Sequence, residues 1–475
     1  MVKKKNNEKA SLFEAKEARI LSANTPFGLT KERLSAFGGV FALEKCFDAV
    51  DFEEIFEKTF AEPERKPKAG CLKMLKGILT LLFIGFSRLN HFRYIQEDPL
   101  LCGLFGKEKL PDQSVFWRFL NSMGKEQSES LLSIMKVIRD RVWKQCGISF
   151  ETIHVDIDTT VKTVYGETEG GRVCYNTHRM GRKGLRPILS FIEETREYVC
   201  GNLREGKTVS GEEMSAFVRK LKNYLPACKR AVLRADAEFM SGTVCHTAQE
   251  EGFEFIFSNR QCEPPFPKAH WYKTDPQSNV EYNTCEYQPT NWKSPFRFVA
   301  MRFPLKDKKG EAKQLPLFAE VGFEYRIFVT NMKGQTHEIV QLYDKRADAE
   351  NLIGESKREG VDAMPSKKFK NNEVFFQLVL LTMNLWRSLK LFAAKSKTSN
   401  ARSLLKEPLV SHTARIARLK LLFLSVKIVS HAGREKIQYS AHDHRIAEFK
   451  PLLCELDALR KKQKPWKPLP EKIAA

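Results

Sequence analysis

Apolar residues recur at helical spacing through the first third of the chain. From about Leu29 to Gln145 the pattern predicts helices, with Ile78, Leu79, Leu82, Phe83 and Phe86 on one side and Asp98-Pro99 and Pro111-Asp112 as punctuation. Pro111-Asp112-Gln113-Ser114 before Val115-Phe116-Trp117-Arg118-Phe119 has the form of a helix cap. At Thr152 the period changes to two. Ile153-His154-Val155-Asp156-Ile157-Asp158 alternates as a strand does, and Val161 to Gly166 extends it. Strand-like runs follow at Pro187 to Ile192 and Glu197 to Gly201. A helix is predicted over Glu212 to Tyr224, a strand over Ala231 to Asp236, a helix to Glu251 and a strand over Phe253 to Phe257. Three strands, helix, strand, helix, strand is a mixed α/β order. From about Cys262 to Asn331 the rhythm breaks into a Pro-rich, aromatic stretch with strand-like pieces at Phe296 to Phe303 and Tyr325 to Thr330, which reads as a mostly β insertion. Helical periodicity resumes at Val340, continues through Trp386 and runs into a Lys/Arg-rich end.

Composition adds a partner class. Lys and Arg number 79 against 58 Asp and Glu in 475 residues, an excess of 21 positive charges that favours a polyanion. Ribosome-associated and membrane-surface proteins reach the same balance, so charge names no function. The hydrophobic fraction of 42% argues against wholesale disorder. The 11 cysteines include no C-x-x-C pair, which disfavours a disulfide framework or a zinc knuckle. Met1-Val2-Lys3-Lys4-Lys5 leads into polar residues rather than an apolar run, and the stretches Leu75 to Phe86 and Val374 to Leu385 are short for a membrane span. These features predict a soluble, cytoplasmic chain with no membrane partner.

Candidate chemistry concentrates in Tyr343-x-x-Arg346-x-x-x-Glu350-x-x-x-x-x-x-Lys357. On one continuous helix these offsets place all four side chains within roughly a 60° sector. A carboxylate flanked by Arg and Lys suits a metal site beside phosphates, with Glu350 as ligand and Arg346 and Lys357 on phosphate oxygens. A solvated face of ordinary ion pairs has the same pattern, and Asp344, Asp348 and Glu355 crowd the helix, so spacing alone does not select Glu350. Asp156 and Asp158 share one face of their strand, and both remain open as an acid on that strand. Glu238 competes with Asp236 in the same way.

The Y-(2)-R-(3)-E-(6)-K pattern resembles the signature of DDE transposases from bacterial insertion sequences. Further landmarks follow in order. Asp158-Thr159-Thr160 is similar to the first D-x-T acid, Asp236-Ala237-Glu238-Phe239 to the second acid with its aromatic, and Thr330-Asn331 to the T-N that closes an insertion before the signature helix. The resemblance runs from roughly Thr152 to Leu389. It implies a ribonuclease-H-like mixed-sheet core interrupted by the β insertion, after a helical N-terminal domain and before a largely helical C-terminal region. The corresponding divisions are 1–150 (DNA binding), 151–260 (first part of the core), 261–335 (insertion), 336–395 (second part of the core) and 396–475 (basic C-terminal region). It also implies that Asp158, Asp236 and Glu350 are catalytic metal ligands for two Mg2+ ions, with Mn2+ able to substitute, and that Tyr343, Arg346 and Lys357 hold DNA. The implied activity is cleavage at the ends of a mobile element and joining of the 3′-hydroxyl ends to target DNA by two-metal-ion phosphoryl transfer. Double-stranded DNA, as terminal inverted repeats and target, and a homodimer on paired ends are the implied partners; a terminal hairpin intermediate is compatible with the family. A ribonuclease-H-like nuclease without strand transfer, or a silent transposase-derived DNA-binding protein, shares much of this pattern.

Overall fold

A computed structural model of the chain describes residues 21–174, 180–304 and 322–461. Its centre is an eight-stranded mixed sheet: β1 (Thr152–Thr159), β2 (Ile188–Ile192), β3 (Tyr198–Asn202), β4 (Arg230–Ala235), β5 (Glu254–Asn259), β6 (Glu281–Tyr287), β7 (Phe296–Pro304) and β8 (Phe323–Thr330). The spatial order is β6-β7-β8-β5-β4-β1-β2-β3. β1 is parallel to β4 and β4 to β5, while the remaining neighbours are antiparallel. The parallel pairs need crossovers, supplied by α1 (Gly211–Tyr224) and α2 (Gly242–Glu250). α1 starts on a reciprocal cap in which the Ser210 hydroxyl accepts from the Glu213 N–H and the Glu213 carboxylate accepts from the Ser210 N–H.

In the stretch read as an insertion, strands β6 and β7, with β8, extend the main sheet beyond β5. An open β5 edge would expose a row of unpaired backbone groups, and β8 removes that liability by pairing with it. Thr330 and Asn331 fasten the junction. The Thr330 hydroxyl donates to Phe255 O (2.6 Å), and the Asn331 side chain donates to Phe253 O (2.8 Å) and accepts from Phe255 N (3.0 Å). The expected extension of β1 through Gly166 also differs. The chain breaks at Thr160, and Lys162–Thr163 pairs with Lys183–Leu185 in a separate small sheet.

Three further helices follow the sheet: α3 (Thr336–Asp344), α4 (Ala347–Glu359) and α5 (Phe369–Lys395). Every residue of α5 from Val374 to Ala394 is buried, and its polar members are hydrogen-bonded there, Gln377 to Gly201 O, Asn384 to Tyr198 O and Lys390 to Val410 O. It packs against the N-terminal helices Cys71–Ile84 and Lys125–Cys146 and against the C-terminal helix Ile446–Lys461. Its Trp386 ring stacks on Phe83 at 3.9 Å and donates from Nε1 to Phe83 O at 3.2 Å. A three-stranded sheet ties Arg33–Ser35 to Val426–His431 and Arg434–Tyr439, so the two ends of the described chain meet. One continuous core runs from Val40 to Leu459. Among the described residues no helix is long and apolar enough to cross a membrane, and the cysteines are free thiols.

Trp386→Ala removes both the stack and the largest side chain of this core. It is expected to cost about 3–5 kcal/mol, read as a lowered urea midpoint with an unchanged slope.

Candidate active site

Two carboxylates emerge side by side because two strands run parallel. Ile157 of β1 lies opposite Ala235, the last residue of β4, and the next residue of the chain in each case is an aspartate, Asp158 and Asp236. Asp158 is largely buried; one oxygen accepts from the Thr159 N–H at 2.7 Å and the other pairs with Arg346 at 2.9 Å. Asp236 accepts from the Glu238 N–H at 3.1 Å, which folds the chain back immediately after β4. Burial pushes the Asp158 carboxyl up to about 6; Arg346 opposes the rise, while Asp236 and Glu350 add to it. Asp236 is raised for the same first reason, burial, with Arg346 and the Glu238 N–H opposing and the Glu238 carboxylate adding. The electrostatics thus couple Asp158 to both Asp236 and Glu350. Glu350 lies exposed on α4 and, among the described residues, has no hydrogen bond or ion pair.

The competing acids are engaged elsewhere. Asp156 is buried and bridged twice by Arg234, at 2.7 and 2.9 Å. Glu355 is buried and bound by Arg387 (2.7 Å) and by the Ala414 N–H (2.7 Å). Asp344 pairs with Arg326 at 2.5 Å. Glu238 accepts from the Thr159 hydroxyl (2.8 Å) and from Arg186 (2.7 Å), so it buttresses the residue that follows Asp158.

The expectation of one unbroken helix from Tyr343 to Lys357 is corrected. α3 ends at Asp344 and α4 begins at Ala347. Across the junction the Arg346 N–H donates to Tyr343 O and the Ala349 N–H to Arg346 O, both at 2.9 Å, so tight three-residue turns replace the helical ladder. Glu350 and Lys357 still share a stripe two turns apart. Arg346 instead turns down to the sheet, where it is 9% exposed, pairs with Asp158 and donates to Ile157 O at 3.3 Å. Tyr343 is half-buried with its ring 4.5 Å from Phe328, and burial raises its phenol. Lys357 is half-buried and, among the described residues, free of ion pairs.

Arg234 emerged only from the structure. It is fully buried between Asp156 and Glu193 (2.8 Å), and it donates to Leu342 O at 2.7 Å, so it fastens the last turn of α3 to β4. A charged residue inside the apolar run Ala231-Val232-Leu233-Arg234-Ala235 was the available signal. Arg186 left no comparable mark. Among the described residues, the His/carboxylate group whose ligand atoms all lie within 4.8 Å of one another is His154, Glu193 and Glu194; Asp158, Asp236 and Glu350 are spread more widely. That trio sits toward the other end of β1, four residues or about 13 Å from Asp158. Its members already have partners, Glu194 on His154 at 2.6 Å and Glu193 on Arg234.

Two outcomes follow from these charges. Arg234→Met leaves two carboxylates without their buried cation and is expected to cost about 3–5 kcal/mol in urea unfolding. Asp158 binds its proton more tightly folded than unfolded, so its contribution to stability is fully present below about pH 4 and is lost as pH rises through about 6. Relative to the wild type, Asp158→Asn should therefore gain stability between pH 4 and 7, by up to about 3 kcal/mol. A difference that stays constant over that range contradicts the assignment.

The family described as Transposase DDE domain group 1 matches residues 28–461. No curated protein matches the chain. Among solved structures, a piggyBac transposase synaptic complex with hairpin DNA is similar at a TM-score of 0.41 and 9% identity, over 82% of this chain and 84% of that one. Because the family model spans residues 28–461, the chain belongs to the DDE transposase family, domain group 1.

Proposed function

We propose that this transposase cleaves DNA at the ends of a bacterial insertion element and joins the freed 3′-hydroxyl ends to target DNA, using Asp158, Asp236 and Glu350 as ligands for divalent cations. The observation that carries the reading is the pair of largely buried carboxylates at adjacent parallel strand ends, with the exposed Glu350 of α4 free of ion pairs among the described residues. The donor set fits a hard cation: the three oxygen ligands come from separate elements, and the burial that raises Asp158 is a cost that a positive charge relieves. Mg2+ is the assigned ion, with Mn2+ able to substitute. Bound there, such ions activate water or a 3′-hydroxyl and neutralise the leaving oxygen.

The chain's own groups supply the rest. The backbone N–H groups of Thr159 and Glu238 orient the Asp158 and Asp236 carboxylates, so little reorganisation is needed at the moment of reaction. Arg346 neutralises Asp158 and offers its guanidinium beside the place where a phosphate would lie. Tyr343 and Lys357 flank the same site and are assigned to hold DNA. The order β3-β2-β1-β4-β5 is read as the ribonuclease-H-like core, divided as 151–260 and 336–395. Residues 1–150 are assigned to DNA recognition, 261–335 to the β insertion that interrupts the core and 396–475 to a basic end. The functional form is assigned as a homodimer on two paired terminal repeats.

Cleavage, joining and end-binding assays test this at matched salt. Asp158→Asn, Asp236→Asn and Glu350→Gln should each abolish cleavage and joining while retaining DNA binding. Glu355→Gln should lose stability instead, since its carboxylate holds Arg387 and the Ala414 N–H. Arg346→Ala should weaken the hold on cleaved ends by about 1.5–3 kcal/mol, the value of a charge-assisted hydrogen bond. A Glu350→Gln variant that cuts at the wild-type rate overturns the ligand assignment, and a wild type that cuts without joining reduces the protein to a nuclease.

A further inference from the structure

A groove of about 340 Å³ lies between the N-terminal helices and the turn that follows α4. One wall carries Arg88, Asn90, Gln113, Ser114 and Trp117; the facing wall includes Met364. Trp117 is 42% exposed there, although it sits on a helix whose Phe116, Phe119 and Leu120 are buried. Nothing in the core explains so large an exposed ring. Beside it, Arg88 and Arg93 form no ion pair among the described residues, and Arg93 instead donates to the hydroxyl of Tyr94, itself 64% exposed. The local potential is positive. Burial holds the nearby His91 imidazole below its usual range, and Arg88 and Arg93 hold it lower still.

We infer that this groove binds one unpaired nucleotide of the DNA strand that passes through the active site, with Trp117 as the stacking platform and Arg88 on its phosphate. The inference rests on the transposase reading above and names a subsite for it. An aromatic face accepts any base, but only a base outside the duplex stack can offer its own face. The amides of Asn90 and Gln113 and the Ser114 hydroxyl supply donors and acceptors for a base edge. The volume suits a small ligand and excludes a double helix. The Arg88 guanidinium, free of ion pairs among the described residues, complements a phosphate, and among the described residues no carboxylate lines the groove.

Position supports the same occupant. A Cβ added at Gly360, the residue that ends α4, would lie 3.6 Å from the Ser87 side chain, so the groove begins where the Glu350 helix stops. Ten residues of helix separate Gly360 from Glu350, a rise of about 15 Å.

The test uses the full chain and two fluorescent probes at matched salt: a 20-base-pair duplex, and the same duplex with a six-nucleotide single-stranded thymidylate arm. The wild type should bind the armed probe more tightly. Trp117→Ala should lose about tenfold on that probe, the size of one base–aromatic stack, with less than twofold change on the plain duplex. Trp117→Phe should recover most of the loss, and Arg88→Ala should weaken the armed probe as well. Equal binding of the two probes by the wild type overturns the subsite, as does a Trp117→Ala variant that keeps the arm preference or loses both probes equally. A wild type that binds neither probe fails the transposase reading itself.

Discussion

Carboxylates held out of water next to one another repel, and the end of this sheet that carries Asp158 and Asp236 is arranged around that cost. Asp158 and Asp236 sit together because β1 and β4 are parallel neighbours, and their burial makes each hold its proton more tightly than a free aspartate. Two arginines limit the damage in different ways. Arg234 forms a closed, fully buried pair with Asp156 and reaches α3, which makes it part of the scaffold. Arg346 lies at a helix junction and holds Asp158 through one guanidinium contact beside the exposed Glu350. The first pair is fixed in the core and the second borders the site.

The rest of the molecule keeps those strand ends in place. α5 supplies a buried axis on which the N-terminal and C-terminal helices pack, and Trp386 on Phe83 joins it to the first of these groups. On the far side β8 pairs with β5, and Thr330 with Asn331 locks the backbone of that strand. The chain then turns directly into α3 and α4. The same segment therefore widens the sheet and delivers Tyr343, Arg346 and Glu350 toward the strand ends that carry Asp158 and Asp236.

Much of this was legible in the residues. Alternation from Ile153 to Asp158, the helical periodicity from Glu212 to Tyr224, and the strand that runs up to Asp236 are local patterns, and local hydrogen bonding realises them. The break between α3 and α4 was not legible, because both Lys345 and Arg346 keep right-handed helical angles and only the hydrogen-bond spacing changes. What turns Arg346 inward is an aspartate 188 residues earlier, which periodicity cannot register. Pairing of β8 with β5 is non-local in the same sense; the sequence marks the strands but not which edge needs covering. Asp156 and Asp158 were equivalent by alternation, and the distinction between them depends on Arg234 in a neighbouring strand.

Iron(II) in place of magnesium, with ascorbate and peroxide, cuts a protein backbone beside the bound ion, and mass spectrometry locates the cuts. If Asp158, Asp236 and Glu350 share the cations, cuts should cluster around those three positions, fade with excess Mg2+ and disappear in Asp158→Asn. Cuts centred on His154, Glu193 and Glu194, the tighter group toward the other end of β1, would contradict that assignment.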